Sequence, residues 1–139
     1  MATWGDVRRF ALALPQTTEE TSSSGLREWR VNKKLFTWER PLRRGDLEAL
    51  GDAAPSGPIL GLRTAGLEMK EALLASDPGV YFTTPHFDGY AAVLIRLAKI
   101  SAKELEDVVV EAWLVQAPKR AAAAFLTRAD KGGVSGRKR

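Results

Sequence analysis

A turn, a strand and a helix follow one another within residues 85–113, whose sequence is PHFDGYAAVLIRLAKISAKELEDVVVEAW. The Asp88-Gly89 pair is a strong signal for a tight turn, and the apolar run over 90–98 is typical of a buried strand. Ser101 with Glu104 is the capping-box pattern of a helix start. Apolar side chains then recur at helical spacing, at Leu105, Val108, Val109, Ala112 and Trp113. This order predicts a strand followed by an amphipathic helix that packs on a sheet.

The N-terminal part of the chain predicts a helix and a polar segment. Thr3 and Asp6 stand at the spacing of a capping box, and apolar residues on one face extend a helix over 3–14, where Pro15 follows. Residues 18–24 are almost all polar and fit either an edge strand or a loop.

A β-hairpin is predicted next. Arg27, Trp29 and Val31 alternate with Glu28 and Arg30, as in a half-buried strand. Asn32-Lys33 fits a tight turn, although Lys is disfavoured at positive φ. The return strand covers 34–40, with Phe36 and Trp38 expected on one face.

The remaining segments complete an α+β pattern. They predict a short helix at 46–50, a strand at 59–64, a helix at 66–76, a strand at 80–83 and, after Pro118, a helix over 121–126. Hairpins with interspersed helices predict a two-layer α+β sandwich, in which an antiparallel sheet carries helices on one face. We expect one domain over residues 1–128 and a disordered basic tail over 129–139.

Composition excludes several kinds of site. The chain has no cysteine, so disulfides, thiolate zinc sites, iron–sulfur clusters and cysteine nucleophiles are ruled out. The N-terminal residues lack the apolar segment of a secretory signal, and no apolar run approaches the roughly 20 residues of a membrane helix. We therefore expect a cytoplasmic protein without a membrane partner.

The positive charge is unevenly distributed. The formal net charge is +4, from 21 basic and 17 acidic residues. Four of the basic residues and one acid lie in 129–139, so the rest of the chain has a net charge of only +1. Arg137, Lys138 and Arg139 could strengthen phosphate binding or simply solubilise the chain end.

The hairpin region is the strongest candidate site. It concentrates seven cations against Glu28 and Glu39, and the cations are Arg27, Arg30, Lys33, Lys34, Arg40, Arg43 and Arg44. A two-stranded ribbon fits the major groove of DNA, cations on it can contact phosphates, and Trp29 or Trp38 could stack on bases if exposed. The alternative is that these charges are solvated and protect a sheet edge, with both tryptophans in the core.

Two other sets of polar residues have simpler explanations. Glu104, Asp107 and Glu111 share one face of the last long helix, but acids on a single helix face bind divalent ions weakly and also compensate the helix dipole. His86 is the only histidine. With Asp88 it could orient an imidazole, but such a loop more often uses these side chains to bond its own backbone. We predict no catalytic, metal or cofactor site.

Several stretches together resemble the MmcQ/YjbR family. They are Lys34–Trp38 (KLFTW), the Pro85–Tyr90 loop (PHFDGY) running into Val93–Leu97, and Trp113 ahead of Ala117–Arg120. The resemblance extends from the first helix to about Leu126. It implies a CyaY/frataxin-like sandwich and, because family members have been labelled DNA-binding proteins, contacts with DNA through paired strands. Lys33 departs from the family, where a small turn residue such as Gly is more usual.

Three functional hypotheses follow. The first is a non-catalytic DNA-binding protein that contacts phosphates through the basic hairpin. The second is a small adaptor or ligand-binding domain with a protein or small-molecule partner, which predicts a pocket or exposed apolar patch beside Phe87 and Tyr90. The third is an enzyme, for which one histidine and no cysteine leave little to build a site.

Overall fold

Six strands and five helices make up the part of the chain that the computed structural model describes, residues 2–132. The strands are β1 (Thr17–Thr21), β2 (Arg27–Val31), β3 (Lys34–Glu39), β4 (Ile59–Arg63), β5 (Tyr81–Phe82) and β6 (Ala92–Arg96). The helices are α1 (Trp4–Leu12), α2 (Arg44–Leu50), α3 (Leu67–Ser76), α4 (Ala102–Gln116) and α5 (Lys119–Gly132). Single 3₁₀ turns lie at Gly51–Ala53, Pro85–Phe87 and Leu97–Lys99. The strands form one sheet in the order β1-β2-β3-β4-β6-β5, with every neighbouring pair antiparallel.

Local signals at the start of the chain produce the predicted elements. Thr3 caps α1, because its side chain accepts from the Asp6 N–H while the Asp6 carboxylate accepts from the Thr3 N–H. The polar segment over 18–24 contributes the edge strand β1, which pairs with β2. Both the predicted capping box and the edge-strand alternative are confirmed.

The β2–β3 hairpin turns at the predicted residues. Asn32 and Lys33 have φ values of 50° and 74°, which are the left-handed conformations that a two-residue type I′ turn requires. The hairpin also contains an irregularity, because Trp29 is paired with Thr37 and the next residue, Arg30, with Leu35. The register therefore skips Phe36.

This bulge corrects one prediction about the hairpin. Phe36 belongs to the main core on one side of the sheet, whereas Trp38 packs with a smaller cluster on the other side. The two side chains were expected to share a face because alternation places i and i+2 on the same side. An extra residue in one strand breaks that alternation.

The main core lies between one face of the sheet, called here the first face, and helices α1 and α4. Its fully buried members include Trp29 and Phe36 from the hairpin and Trp113 from α4. Side chains of α3 and α5 pack at its margin, with the ring of Phe125 5.1 Å from that of Trp113. The predicted two-layer α+β sandwich is confirmed.

The opposite face, called here the second face, is partly covered. A smaller cluster on it consists of Ile59, Phe82, Phe87, Ala92 and Leu94, with Trp38, Leu42 and Leu50 packed against it. The helix α2 and the 3₁₀ turn at Pro85–Phe87 therefore cover the β4-β6-β5 side of this face. The prediction placed helices on one face of the sheet only, and α2 is the exception, because it packs on the second face.

The C-terminal helix passes a predicted boundary. We expected the domain to end at residue 128, but α5 runs to Gly132. The remainder of the predicted tail, 133–139, lies outside the described residues. Within 2–132, every helix falls short of the combined length and apolar character needed to span a bilayer.

Candidate functional site

An open groove of about 500 Å³ crosses the second face of the sheet beside β3. Its walls are the loop between β1 and β2 and, on the other side, the segment 85–90. The floor is formed by side chains of β2 and β3, among them Glu28, Leu35 and Trp38. The groove therefore adjoins the part of the second face that α2 covers.

Trp38 forms a flat apolar surface in this floor. The side chain is half-buried and lies across Gly61, its partner on β4. A Cβ atom at Gly61 would overlap the indole ring, so the ring can lie this close to the strand only because residue 61 has no side chain. The indole is thereby held against the β4 backbone, and part of its surface lines the groove.

A buried lysine holds the wall formed by 85–90. Nζ of Lys70, on α3, donates to the carbonyl oxygen of Phe87 at 2.6 Å and to that of Tyr90 at 2.9 Å. Lys70 is 4% exposed, and burial lowers its pKa, with the nearby Asp88 carboxylate acting in the opposite direction. Two charge-assisted hydrogen bonds thus fix this segment relative to the sheet.

The two aromatic residues of the wall have different surroundings. Phe87 is buried in the second-face cluster, whereas Tyr90 is 49% exposed. The Arg63 guanidinium lies 5.5 Å from the centre of the Tyr90 ring, a cation–π distance that orients the ring. The pocket that the second hypothesis required beside Phe87 and Tyr90 is present.

The segment 85–90 closes on itself through its backbone. The N–H groups of Phe87, Asp88 and Tyr90 donate to the carbonyl oxygens of Thr84, Pro85 and Phe87. The side chains of His86 and Asp88 were expected to make these local bonds. Both instead line the groove, and within the described residues no hydrogen bond joins them.

Arg40 lies at the end of β3 and is almost completely buried. It is 4% exposed, and its Nη1 donates to Asp46 Oδ2 at 3.0 Å and to the Pro41 carbonyl at 2.6 Å. Burial alone would raise the pKa of Asp46, but the Arg43 N–H and the Arg40 guanidinium outweigh it and lower the pKa. Arg40 also lines the groove, and its buried Nη2 has no hydrogen-bond partner among the described residues.

Three of the seven predicted hairpin cations are neutralised within the fold. Arg27 donates to Glu39 through two nitrogens at 2.9 and 2.6 Å, and Arg30 pairs with Glu28 at 2.9 Å. Arg40 is 4% exposed and paired with Asp46, and its place among the nucleic-acid contacts stays a prediction. Fewer cations of the hairpin are therefore available to a partner than their number in the sequence indicates.

The other four cations are exposed but are not gathered in one place. Lys33 and Lys34 occupy the hairpin tip, while Arg43 and Arg44 follow the far end of β3. Arg40 lies six positions after Lys34 along extended strand, a distance of about 20 Å. Lys33, Lys34 and Arg43 make no ion pair within residues 2–132, and Arg44 lies 3.7 Å from Glu48.

The two hairpin tryptophans also differ. Trp29 is completely buried and its Nε1 donates to Glu19 at 3.0 Å. It therefore cannot stack on a base, a role that the sequence analysis had left open for Trp29. Trp38 is the one of the two that a bound molecule could reach, and it faces the groove rather than the basic tip.

The acidic face of α4 is used structurally. Ser101 caps α4, since its side chain accepts from the Glu104 N–H. The predicted capping box is only half formed, because the Glu104 carboxylate accepts from the Tyr81 hydroxyl at 2.5 Å. Burial and the Glu104 carboxylate raise the pKa of Tyr81. Asp107 contacts Lys103 at 3.3 Å. In the described chain, no group of three or more acidic, histidine or cysteine side chains is placed to hold a metal ion.

Comparison with known proteins assigns the family. The family model for YjbR matches residues 12–115, most of the chain. The chain belongs to the MmcQ/YjbR family. This MmcQ/YjbR protein is 54% identical over 129 residues to uncharacterized protein Rv2570 of Mycobacterium tuberculosis and to uncharacterized protein Mb2600 of Mycobacterium bovis. Each alignment covers 91% of this chain and 97% of the relative.

A solved structure supports the fold of this MmcQ/YjbR protein. The chain is similar to the crystal structure of Deinococcus radiodurans protein DR2400, with its DUF419 domain, at a TM-score of 0.61 and 16% identity. The match covers 98% of this chain and 84% of the other. At this identity the likeness concerns the fold alone, and the CyaY/frataxin comparison stays a prediction.

The sequence analysis missed Lys70 as a structural residue of the groove. A signal was present, because Lys70 lies three and four residues before Leu73 and Leu74 and so shares the inner face of α3 with them. A charged residue on an apolar helix face must find partners when buried. The Arg40–Asp46 pair offered no comparable pattern.

Proposed function

We propose that this protein is a non-catalytic binding module whose groove beside Trp38 takes a small ligand. The observation that carries the proposal is the groove itself, which brings the Trp38 indole and the exposed Tyr90 ring into one concave site. Ligand sites commonly combine apolar or aromatic surface with a few polar groups in such a depression.

The way the walls are held supports this proposal. Trp38 is held against Gly61, and the segment 85–90 is held by the two Lys70 hydrogen bonds. A site that is already ordered loses less conformational entropy when a ligand binds. The groove is therefore suited to a ligand that binds without rearrangement of its walls.

The test is a fragment screen read by protein NMR. Planar fragments of neutral, cationic and anionic character are added singly, and the indole N–H of Trp38 and the amides of 86–90 are followed. We expect at least one fragment to shift these signals in a saturable way. A screen in which no fragment of any charge shifts them would contradict the proposal.

A matched pair of variants locates the binding. Tyr90 and Leu126 are 49% and 50% exposed, so Tyr90→Ser and Leu126→Ser remove comparable exposed apolar surface. Only Tyr90 lines the groove. We expect Tyr90→Ser to weaken fragment binding about threefold or more, because a stacked aromatic contact is lost, and Leu126→Ser to leave it unchanged.

DNA binding through the hairpin tip is the second candidate, favoured by one observation. Lys33 and Lys34 are both exposed at a turn, and neither makes an ion pair within residues 2–132. Two lysines at the end of a narrow ribbon could contact backbone phosphates without reading base sequence. This module would then bind DNA weakly and with a strong dependence on salt.

A salt titration with a short fluorescent duplex tests this candidate. The proteins compared are the full chain, a Lys33→Glu/Lys34→Glu variant and a chain ending at Gly132, which removes three basic residues after the last helix. Binding lost in the double variant and kept in the shortened chain would support the hairpin tip. Binding unchanged in the double variant would contradict it.

A further inference from the structure

The buried guanidinium of Arg40 is only partly satisfied by the fold. Nη1 has two acceptors, Asp46 Oδ2 and the Pro41 carbonyl, and the group lies 5.2 Å from the Phe87 ring. Nη2 is buried without a hydrogen-bond partner among the described residues. A buried donor without an acceptor is costly, and such groups call for an explanation, such as an unseen ligand.

A purely structural role does not need this second nitrogen. One nitrogen of Arg40 suffices to pair with Asp46, whose Oδ2 also accepts from the Arg43 N–H at 2.8 Å. Lysine would supply the same single contact with the carboxylate. A guanidinium at this position offers an additional planar donor, and Arg40 is a residue of the groove lining.

A second arginine, three residues further along the chain, belongs to the same groove lining. This residue, Arg43, is exposed and makes no ion pair within residues 2–132. Guanidinium groups bind carboxylates and phosphates through paired N–H donors. The Arg40 and Arg43 pair therefore has the chemistry of an anion site.

The other charges of the groove favour an anion of single charge. Glu28, Glu39 and Asp88 also line it, and the first two are held by Arg30 and Arg27. These carboxylates reduce the positive potential of the groove, which disfavours a dianionic phosphate more than a carboxylate, because a carboxylate carries half that charge. Trp38 lines the same groove, and its indole suits the planar part of the same ligand.

We propose that the groove binds a small planar carboxylic acid, whose carboxylate is bound by Arg40 Nη2 and Arg43 and whose ring stacks on Trp38. This inference rests on the groove being a ligand site, as proposed above. It adds the chemical class of the ligand. The interaction is non-covalent and requires no chemical step.

The test compares three probes of the same ring. Benzoate is a monoanion, benzamide is its neutral analogue and phenylphosphonate is a dianion at pH 8.5. Each is titrated into the full-length protein, and the Trp38 indole N–H and the amides of 86–90 are followed by NMR. We expect benzoate to bind about tenfold more tightly than either other probe. Benzamide is neutral and cannot form charge-assisted hydrogen bonds, and phenylphosphonate is repelled more strongly by the carboxylates of the groove.

Three variants assign the contact. Arg40→Lys retains a cation for Asp46 but removes Nη2, and Arg43→Gln changes an exposed residue that the fold does not need. Both should weaken benzoate about tenfold and leave benzamide unchanged. Arg44→Gln is the matched control, because Arg44 is the neighbouring exposed arginine and its side chain is 93% exposed. If Arg40→Lys does not fold, Arg43→Gln alone decides.

The outcomes separate this inference from the proposed function. Groove signals that respond to benzamide as strongly as to benzoate would overturn carboxylate recognition and keep the groove as a ligand site. Benzoate binding that Arg43→Gln leaves intact would overturn the assignment to this pair of arginines. Failure of all three probes would overturn the inference, and the wider fragment screen would then decide on the groove.

Discussion

Lys33 shows how a single residue can oppose the fold that it belongs to. Its φ of 74° lies in the left-handed region, where a side chain with a Cβ atom is strained by about 1 kcal/mol. The turn nevertheless forms, because the two strands on either side pair over their length. Family resemblance had marked this position as one where glycine is more usual.

Replacing Lys33 with glycine should therefore stabilise the protein. We expect Lys33→Gly to raise the free energy of unfolding by about 0.5–1 kcal/mol, after the greater entropy of glycine in the unfolded chain is deducted. Urea denaturation followed by tryptophan fluorescence measures the change. Lys33→Ala removes the same charge but keeps a Cβ atom, so it should give no gain, and an equal gain in both variants would contradict the strain argument.

Tyr81 predicts a pH dependence of stability. Burial and the Glu104 carboxylate raise its pKa above the ordinary value of 10.0. A group whose pKa is raised by folding stabilises the protein fully below its unfolded pKa and loses that contribution as pH rises. The free energy of unfolding should therefore fall as pH increases above about 10.

Two substitutions test this dependence. Tyr81→Phe should lower stability by about 1 kcal/mol at pH 8, since Glu104 loses a hydrogen-bond donor, and should flatten the decline above pH 10. Glu104→Gln should also flatten it, whereas Glu106→Gln changes an exposed acid on the same helix and should not. Denaturant unfolding between pH 8 and 11 measures the slope. Equal slopes in wild type and Tyr81→Phe would rule out Tyr81 as the cause.

At the scale of elements, the hairpin and its neighbour β4 are joined by a close contact. The bulge at Phe36 turns Trp38 to the second face, where its indole covers Gly61 on the adjacent strand. An aromatic residue opposite a glycine in a sheet shields the backbone that the glycine leaves open. The same contact provides the floor of the groove.

A double-mutant cycle measures this contact. We expect Gly61→Ala to cost about 2 kcal/mol of unfolding free energy, because an added methyl group overlaps the Trp38 ring. In a Trp38→Ala background the methyl group has room, so most of that cost should disappear, giving a coupling of about 1–2 kcal/mol. Gly45→Ala is the control, since a Cβ atom at Gly45 meets nothing within 4 Å. Additive effects of Gly61→Ala and Trp38→Ala would contradict the contact.

At the scale of the whole molecule, the two faces of the sheet carry cores of unequal size. Among the residues that the structure describes, the first-face cluster contains 20 buried residues and the second-face cluster contains five. Regions with few buried contacts unfold locally at a lower free-energy cost than the main core does. The groove wall over 85–90 contributes only Phe87 to the smaller cluster and is held to α3 by the two Lys70 hydrogen bonds.

Hydrogen exchange should reveal this difference. The amides of Phe87, Asp88 and Tyr90 should exchange faster than those of the β4–β6 pair, where backbone hydrogen bonds lie between two clusters. Lys70→Met removes the hydrogen bonds to Phe87 and Tyr90 and should accelerate exchange over 85–90 further, with little effect on β4. Uniform acceleration across the sheet would show that Lys70 supports the whole fold rather than this wall.

The sequence by itself determined the elements of this protein and the order in which they occur. Capping by Thr3 and Ser101, the apolar face of α4 and the turn at Asn32-Lys33 depend on residues close in the chain, so their patterns are visible before folding. The family resemblance, confirmed by the match over 12–115, added the overall architecture.

Only the tertiary structure decided which charged groups remain available to a partner. Arg27 is neutralised by Glu39, 12 residues away, and Lys70 is bound by carbonyl groups 17 and 20 residues away. The bulge that sends Trp38 to the second face, and the groove that results, likewise depend on how strands pair. Local patterns do not encode these contacts, because a buried charge must find a partner wherever the fold brings one within hydrogen-bonding distance.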